Sequence, residues 1–163
     1  MKLIDYWLTY LAKHHIRFSH STHPRTETAF ETADADRMPA HDLAKTVVYH
    51  CDEGFGMAVV PADEFLDFKK LTDVLHVSYM RKANTSELGN LFPDCELGAM
   101  PPFGKRYNMP VIVDRAVAGH DFITFALGTH RDTVRISFAD FERLAEPVIA
   151  SIATPSEVLV SGR

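Results

Sequence analysis

Three short stretches of the chain carry residue types suited to chemistry on a charged or carbonyl-bearing ligand, and they lie far apart in sequence. Lys45 opens the apolar run Lys45-Thr46-Val47-Val48, where an ammonium adds little to packing. There it is suited to holding a phosphate or carboxylate at a pocket rim. The other reading is a solvated lysine at a strand end, as most lysines are exposed. The stretch Leu97-Gly98-Ala99-Met100-Pro101-Pro102-Phe103-Gly104 is dense in glycine and proline. Gly98 permits backbone conformations and close approaches denied to other residues, and Pro101-Pro102 stiffens the loop. Backbone N–H groups held in such a loop can face an oxyanion or ester carbonyl without any charged side chain; a rigid turn between strands is the alternative. His130 follows Gly128-Thr129, the signature of a tight turn. It could donate to a phosphate, orient a water or carry a proton, or serve as an ordinary polar turn residue.

The rest of the chain narrows the chemistry. There are nine histidines, and His20 and His23 are close, but no HExxH or paired CxxC occurs, so neither a metal nor another cofactor is expected. A GxSxG elbow, a GxGxxG turn and a Walker A loop are all missing. The chain therefore offers no obvious protein nucleophile. Cys51 and Cys95 sit in no redox motif and read as free thiols in a reducing compartment. With 22 acidic against 17 basic residues, the formal charge is −5. A protein gripping many phosphates shows a basic excess or stripe, so DNA is not an expected partner. Any nucleic-acid contact is confined to a short segment, or a partner protein supplies the affinity.

The elements that must position these residues are legible from periodicity. Leu3, Ile4, Trp7, Leu8, Leu11 and Ile16 recur at helical spacing and predict a helix over 2–16. This opening segment is amphipathic and lacks a cleavage site, so it reads as folded structure and not a signal peptide. The stretch Ser19 to Pro24 breaks it, and a second helix is expected through Thr26–Asp36, ending before Pro39. Lys45–His50 and Met57–Pro61 read as a β-hairpin turning at Gly54-Phe55-Gly56. Pro61 is expected to open a helix through Ala62–Leu71, with a short strand at His76–Tyr79 and a capped helix at Thr85–Phe92. Strands come next at Pro110–Asp114, Asp121–Leu127 and Thr133–Ser137, then a helix from Phe138 with Ser137 and Asp140 spaced as a capping-box variant. Val148–Ser151 is expected to pack. No run approaches the roughly 20 apolar residues that span a bilayer, so a cytoplasmic protein with no membrane partner is expected. The result is one α/β (α+β mixed) domain over residues 1–163, with a curved mixed sheet of six to seven strands and peripheral helices.

Taken in order, Ala44-Lys45-Thr46-Val47-Val48, the GxxxP run Gly98-Ala99-Met100-Pro101-Pro102 with Phe103-Gly104, the strand-end Val113-Asp114, and Gly128-Thr129-His130 before Phe138–Leu144 resemble the YbaK-type aminoacyl-tRNA deacylase family. That family is related to the editing domain of bacterial prolyl-tRNA synthetases, and the resemblance covers about residues 40–147. It implies a trans-acting hydrolase that cleaves the ester of a mischarged tRNA at its 3′ end, with an aminoacyl-tRNA synthetase as a possible partner. By carry-over, Lys45 is catalytic and contacts the terminal phosphate. Gly98, Ala99, Met100, Pro101, Pro102, Phe103, Thr46 and His130 bind substrate. The resemblance also implies that the substrate's own ribose hydroxyl takes part, which fits the missing nucleophile. Pro101 stands where relatives often carry Ser or Thr, Ala99 replaces a frequent glycine, and Thr46 stands where some alanine-editing relatives carry Asn. Ala, Cys, Ser and Thr esters, on the proline tRNA among others, all remain open. The alternatives are a non-catalytic tRNA- or synthetase-binding module on the same fold, and hydrolysis of a small ester unrelated to tRNA.

Overall fold

In the computed structural model, which describes residues 2–155, the chain opens with helix α1 (Leu3–Lys13), whose Trp7 and Leu11 lie one turn apart on its buried face. Strand β1 (Phe18–Thr22) precedes helix α2 (Ala29–Ala35), which is started by a capping box: Thr28 Oγ1 accepts from the Glu31 amide and Glu31 accepts from the Thr28 amide. Strands β2 (Ala44–Cys51) and β3 (Gly54–Pro61) form a hairpin. Strand β4 (Phe65–Leu66), helix α3 (Phe68–Leu75), strand β5 (Met80–Lys82) and helix α4 (Thr85–Leu91) come after it. The second half runs β6 (Val111–Asp114), α5 (Arg115–Ala118), β7 (Phe122–Ala126), β8 (Asp132–Ser137), α6 (Phe138–Ala145), β9 (Val148–Ala150) and β10 (Ala153–Thr154).

A five-stranded sheet has the order β5-β2-β3-β6-β9, antiparallel on the hairpin side and parallel between β3, β6 and β9. A second, antiparallel sheet has the order β1-β8-β7, and β10 pairs with β4. Leu43 bridges to Thr124, joining the start of β2 to β7 of the second sheet. Because strand side chains alternate, the large sheet has two buried faces. Val48, Met57, Val59, Val111 and Val113 enter one core with α1, α6 and the small sheet. Tyr49, Ala58, Val60 and Ile112 enter the other, against Leu71 of α3. The first core is organised by aromatics: Phe103 stacks on Trp7 at 4.9 Å and meets Phe125 edge-on at 5.4 Å. Such pairs add about 0.5–1.5 kcal/mol each beyond the area they bury.

The mixed α+β class and most elements match expectation, with four local corrections. The hairpin turns at Asp52-Glu53, and Gly54 to Gly56 belong to β3. Asp52 explains the shift: its carboxylate accepts from the Ser78 and Tyr79 amides, clamping the turn to the segment before β5. Pro61 ends β3 instead of opening a helix, and α3 waits for Asp67, which caps the amides of Lys69 and Lys70. The segment read as a strand at His76–Tyr79 holds a left-handed His76 at the end of α3, and the strand lies at Met80–Lys82. Ser19–Thr22, read as a break, is strand β1, recruited by pairing with β8 and not by any apolar alternation of its own. No helix among the described residues is long and apolar enough to cross a membrane.

Asp114, at the end of β6, is 5% exposed and its carboxylate is spent on backbone. One oxygen accepts from the Ile152 and Ala153 amides at 2.8 and 2.9 Å, the other caps α5 through the Ala116 amide at 2.9 Å. Replacing Asp114 by Ala strands these buried N–H groups and removes the cap, so a loss of about 2–4 kcal/mol is expected in urea unfolding.

Surface carboxylates set the acid response. The Ser78 hydroxyl, with the Ser78 and Tyr79 amides, holds Asp52 down to about 2. The Arg81 guanidinium, with the Asn84 amide, holds Glu87 down to about 2. Both folded values lie below those of the unfolded chain, near about 4. The stabilisation is therefore present above that range and lost as pH falls through about 2. The stability difference between wild type and Arg81→Ala should be constant from pH 5 to 7 and should close between pH 4 and 2, as read from denaturant midpoints.

Candidate functional site

The site is assembled by a clasp between two loops about thirty residues apart in sequence. Gly128, at φ +96°, donates its amide to Ala99 O at 2.8 Å, and its carbonyl accepts from the Glu96 amide at 2.9 Å. The positive φ is cheap only for glycine, and Leu3 of α1 packs against the bare α-carbon. The Glu96 carboxylate adds a third link: it accepts from the His130 amide at 2.9 Å and from Arg25 at 3.2 Å. His130 Nε2 bonds to Leu97 O. A carbonyl only accepts, so Nε2 carries the proton and Nδ1 is the acceptor of the ring in its neutral form. The imidazole edge lies over Gly98, where a Cβ would sit 3.5 Å from His130 Cε1.

This clasp faces the start of β2 and the first turn of α2 across a cleft of about 70 Å³. Lys45, Thr46, Gly98, Met100 and His130 line it, so three segments singled out in the sequence converge. The Ala99 amide is used by Glu96 O, and Pro101 and Pro102 have none. The N–H groups of Gly98 and Met100 take no partner among the described residues, leaving two donors beside the cleft. Thr32 and Thr28 of α2 supply the opposite wall; the Thr32 hydroxyl bonds to Thr28 O and to the hydroxyl of Thr26.

Other expected site residues lie elsewhere. Ala99 is fully buried beneath the loop, and Pro101 and Pro102 are buried outside the cleft. Phe103 sits in the aromatic core between Trp7 and Phe125, where it anchors the loop instead of facing a ligand. Lys45 and Thr46 diverge by strand alternation. Thr46 shares the face of Val48, whereas Lys45 shares that of Val47 and Tyr49 and sets its ammonium 5.0 Å from the centre of the Phe65 ring. Sequence reading missed Glu96 and the α2 threonines. The helix was expected from Thr26 and begins at Ala29 behind the Thr28 cap, and nothing local marked what it would face.

Two further clusters bear on the chemistry. Among the described residues, His41, Asp63 and Glu64 bring possible metal-ligating atoms within 4.8 Å of one another, outside the cleft. They already satisfy each other: His41 Nδ1 meets Asp63 at 3.0 Å, and that bond raises the imidazole pKa. A larger opening of about 900 Å³ spreads over the outer face of the small sheet, with Asp36, Asp42, Asp121 and Arg135 on its walls. It contains none of the sequence-derived candidates.

The fold itself is shared with solved proteins. A candidate trans-editing enzyme for prolyl tRNA synthetase superposes with a TM-score of 0.81 at 22% identity, over 94% of this chain and 98% of that one. A hypothetical protein superposes with a TM-score of 0.82 at 17% identity, over 91% and 99%. The family model of the aminoacyl-tRNA editing domain matches residues 23–144, and the chain belongs to that family. Proline–tRNA ligase of Fervidobacterium nodosum is 30% identical over 96 residues, 59% of this chain. That of Bacillus cytotoxicus is 34% identical over 74 residues, 45% of this chain. The chain spans only a small part of these ligases, 16% and 13% of their lengths.

Gly98 has φ +85°, and an added methyl would make only ordinary contacts. Gly98→Ala is thus expected to cost about 1–2 kcal/mol through backbone strain alone. Gly89, inside α4 with open space around it, should respond oppositely, gaining about 0.5–1 kcal/mol as Ala. Urea midpoints of the two variants check both signs.

Proposed function

We propose that the chain is a trans-acting aminoacyl-tRNA deacylase that hydrolyses the ester of a small amino acid, such as Ala, Cys, Ser or Thr, wrongly attached to the proline tRNA. The single observation that carries this reading is the convergence of Thr46, Gly98, Met100 and His130, with Lys45, on one small cleft in a member of the editing-domain family. The similarity to proline–tRNA ligases supports the choice of tRNA.

The cleft suits an activated ester. No serine or cysteine lines it; the hydroxyls of Thr129, Thr32 and Thr28 donate to Asp132, Thr28 O and Glu31, and Thr46 has no hydrogen-bonded base among the described residues. The attacking oxygen is therefore assigned to a water, whose proton passes through the neighbouring ribose hydroxyl to the departing ribose oxygen. That oxygen adds to the ester carbonyl carbon, and the carbonyl oxygen becomes an oxyanion facing the Gly98 and Met100 amides. Collapse breaks the bond to the ribose oxygen, which takes up a proton as the free amino acid leaves. Fixed amides at a developing charge are worth about 10²–10³ in rate each. His130 Nδ1 is assigned to orient the attacking oxygen. Lys45 is assigned to the terminal phosphate, a role that requires its ammonium to leave the Phe65 ring, 5.0 Å away, for the cleft its residue lines. A cavity of about 70 Å³ holds on the order of two waters of liquid volume, which favours small side chains in the manner of a second sieve.

Deacylation of a panel of mischarged tRNAs tests the reading. One or more small-side-chain esters should be cleared, and Lys45→Ala and His130→Ala should slow this by about 10²-fold. If wild-type protein at high concentration clears nothing, the enzyme reading fails in favour of a binding module. If Lys45→Ala keeps the full rate, the role given to that lysine is wrong.

A further inference from the structure

Two clefts flank α1. Their volumes are about 330 and 450 Å³, and Tyr6 and Tyr10 line both. The cations of Lys13, Lys105 and Arg106 and the imidazole of His14 also line them, and no carboxylate does. In a chain of net charge −5, this is a local reversal of sign, and it contrasts with the three aspartates of the 900 Å³ opening. Aromatic planes and cations are interleaved. Arg106 lies 4.1 Å over the Tyr6 ring, and His14 meets Tyr10 at a tilt of 51° with ring centres 4.5 Å apart. Lys105 meets Glu146 at 3.2 Å and Arg106 meets Asp94 at 3.9 Å, both as exposed rim contacts that solvent screens. The indole N–H of Trp7, whose ring lines the first cleft, is buried with no partner among the described residues.

We infer that this groove is the track for the unpaired 3′-terminal nucleotides that lead from the acceptor arm of the substrate tRNA into the editing cleft. The inference rests on the deacylase reading and adds where the RNA lies. Two physical connections join groove and cleft. The loop that lines the cleft with Gly98 and Met100 continues to Phe103, which lines the groove beside Trp7. Leu3, in the first turn of α1, packs on Gly128 next to Thr129 and His130. From there α1 rises about 1.5 Å per residue, so Lys13 stands about 15 Å further on. Alternating aromatic faces and cations are what a single strand needs: bases stack on the rings and phosphates meet the charges. The groove also accounts for RNA recognition by an acidic protein, since the contact is confined to one short stripe.

The experiment compares two substrates of the full-length chain: a mischarged tRNA and the same amino acid esterified to adenosine alone. The double variant Lys13→Glu/Lys105→Glu changes only exposed side chains, and Tyr10→Leu removes a stacking face. Both should lower kcat/KM on the tRNA by about tenfold or more, through KM, and leave the adenosine ester unaffected. The salt dependence on tRNA should flatten by about one unit of slope per reversed cation. Equal loss on both substrates, or no loss on tRNA, overturns the inference. If wild type cleaves neither substrate, the deacylase reading has failed, and the groove is then judged by binding of uncharged tRNA. Retention of wild-type affinity in the charge-reversed variant would overturn it there too.

Discussion

The exchange of backbone hydrogen bonds between Gly128 and the 96–99 loop is the constraint on which the candidate site depends. It brings two turns from distant parts of the chain into register, with Glu96 and the His130 ring adding a second pair of links. Because the bonds are main-chain, the geometry they impose does not depend on flexible side chains. It holds the Gly98 and Met100 amides and the His130 imidazole in fixed relation to the start of β2. Phe103, clamped between Trp7 and Phe125, ties the same loop to the aromatic core. The site therefore draws its rigidity from the packing that stabilises the fold.

That arrangement suits chemistry on a bond that is already labile. An aminoacyl ester needs orientation and a donor for the developing oxyanion more than it needs a powerful nucleophile. In the proposed reaction the Gly98 and Met100 amides, on a loop stiffened by Pro101-Pro102, are that donor. The surface is divided by charge. Carboxylates gather on the outer face of the small sheet, while cations and aromatic rings gather along α1.

Much of this was legible in the sequence, for reasons that can be traced to particular residues. The continuous apolar runs Val47-Val48, Met57–Val60 and Val111–Val113 mark strands that are buried on both faces, and Ser137 marks the start of α6. Lys45, the Gly98 loop and His130 were recognisable because glycine, proline and ordered spacing leave a local trace. What escaped was set by tertiary partners. Strand β1 has no alternation of its own and exists because β8 offers it hydrogen bonds. Glu96 looks like any surface glutamate until the His130 turn is folded against it. Phe103 belongs to a loop that reads as ligand-binding, but an exposed phenylalanine there would forgo the stacking that Trp7 provides. Proximity in the motif did not mean proximity to the cleft.

The central claim is that the 70 Å³ cleft between β2, α2 and the two clasped loops receives the aminoacyl end of the substrate. The most direct test is to bind a stable analogue, an amino acid joined to adenosine by an amide in place of the ester, and follow the backbone amides by NMR. The account predicts the largest shifts at Thr46, Gly98, Met100 and His130, with the outer face of the small sheet unmoved. Shifts centred on Ser21, Thr124 and Arg135, or none at saturating analogue, would contradict it.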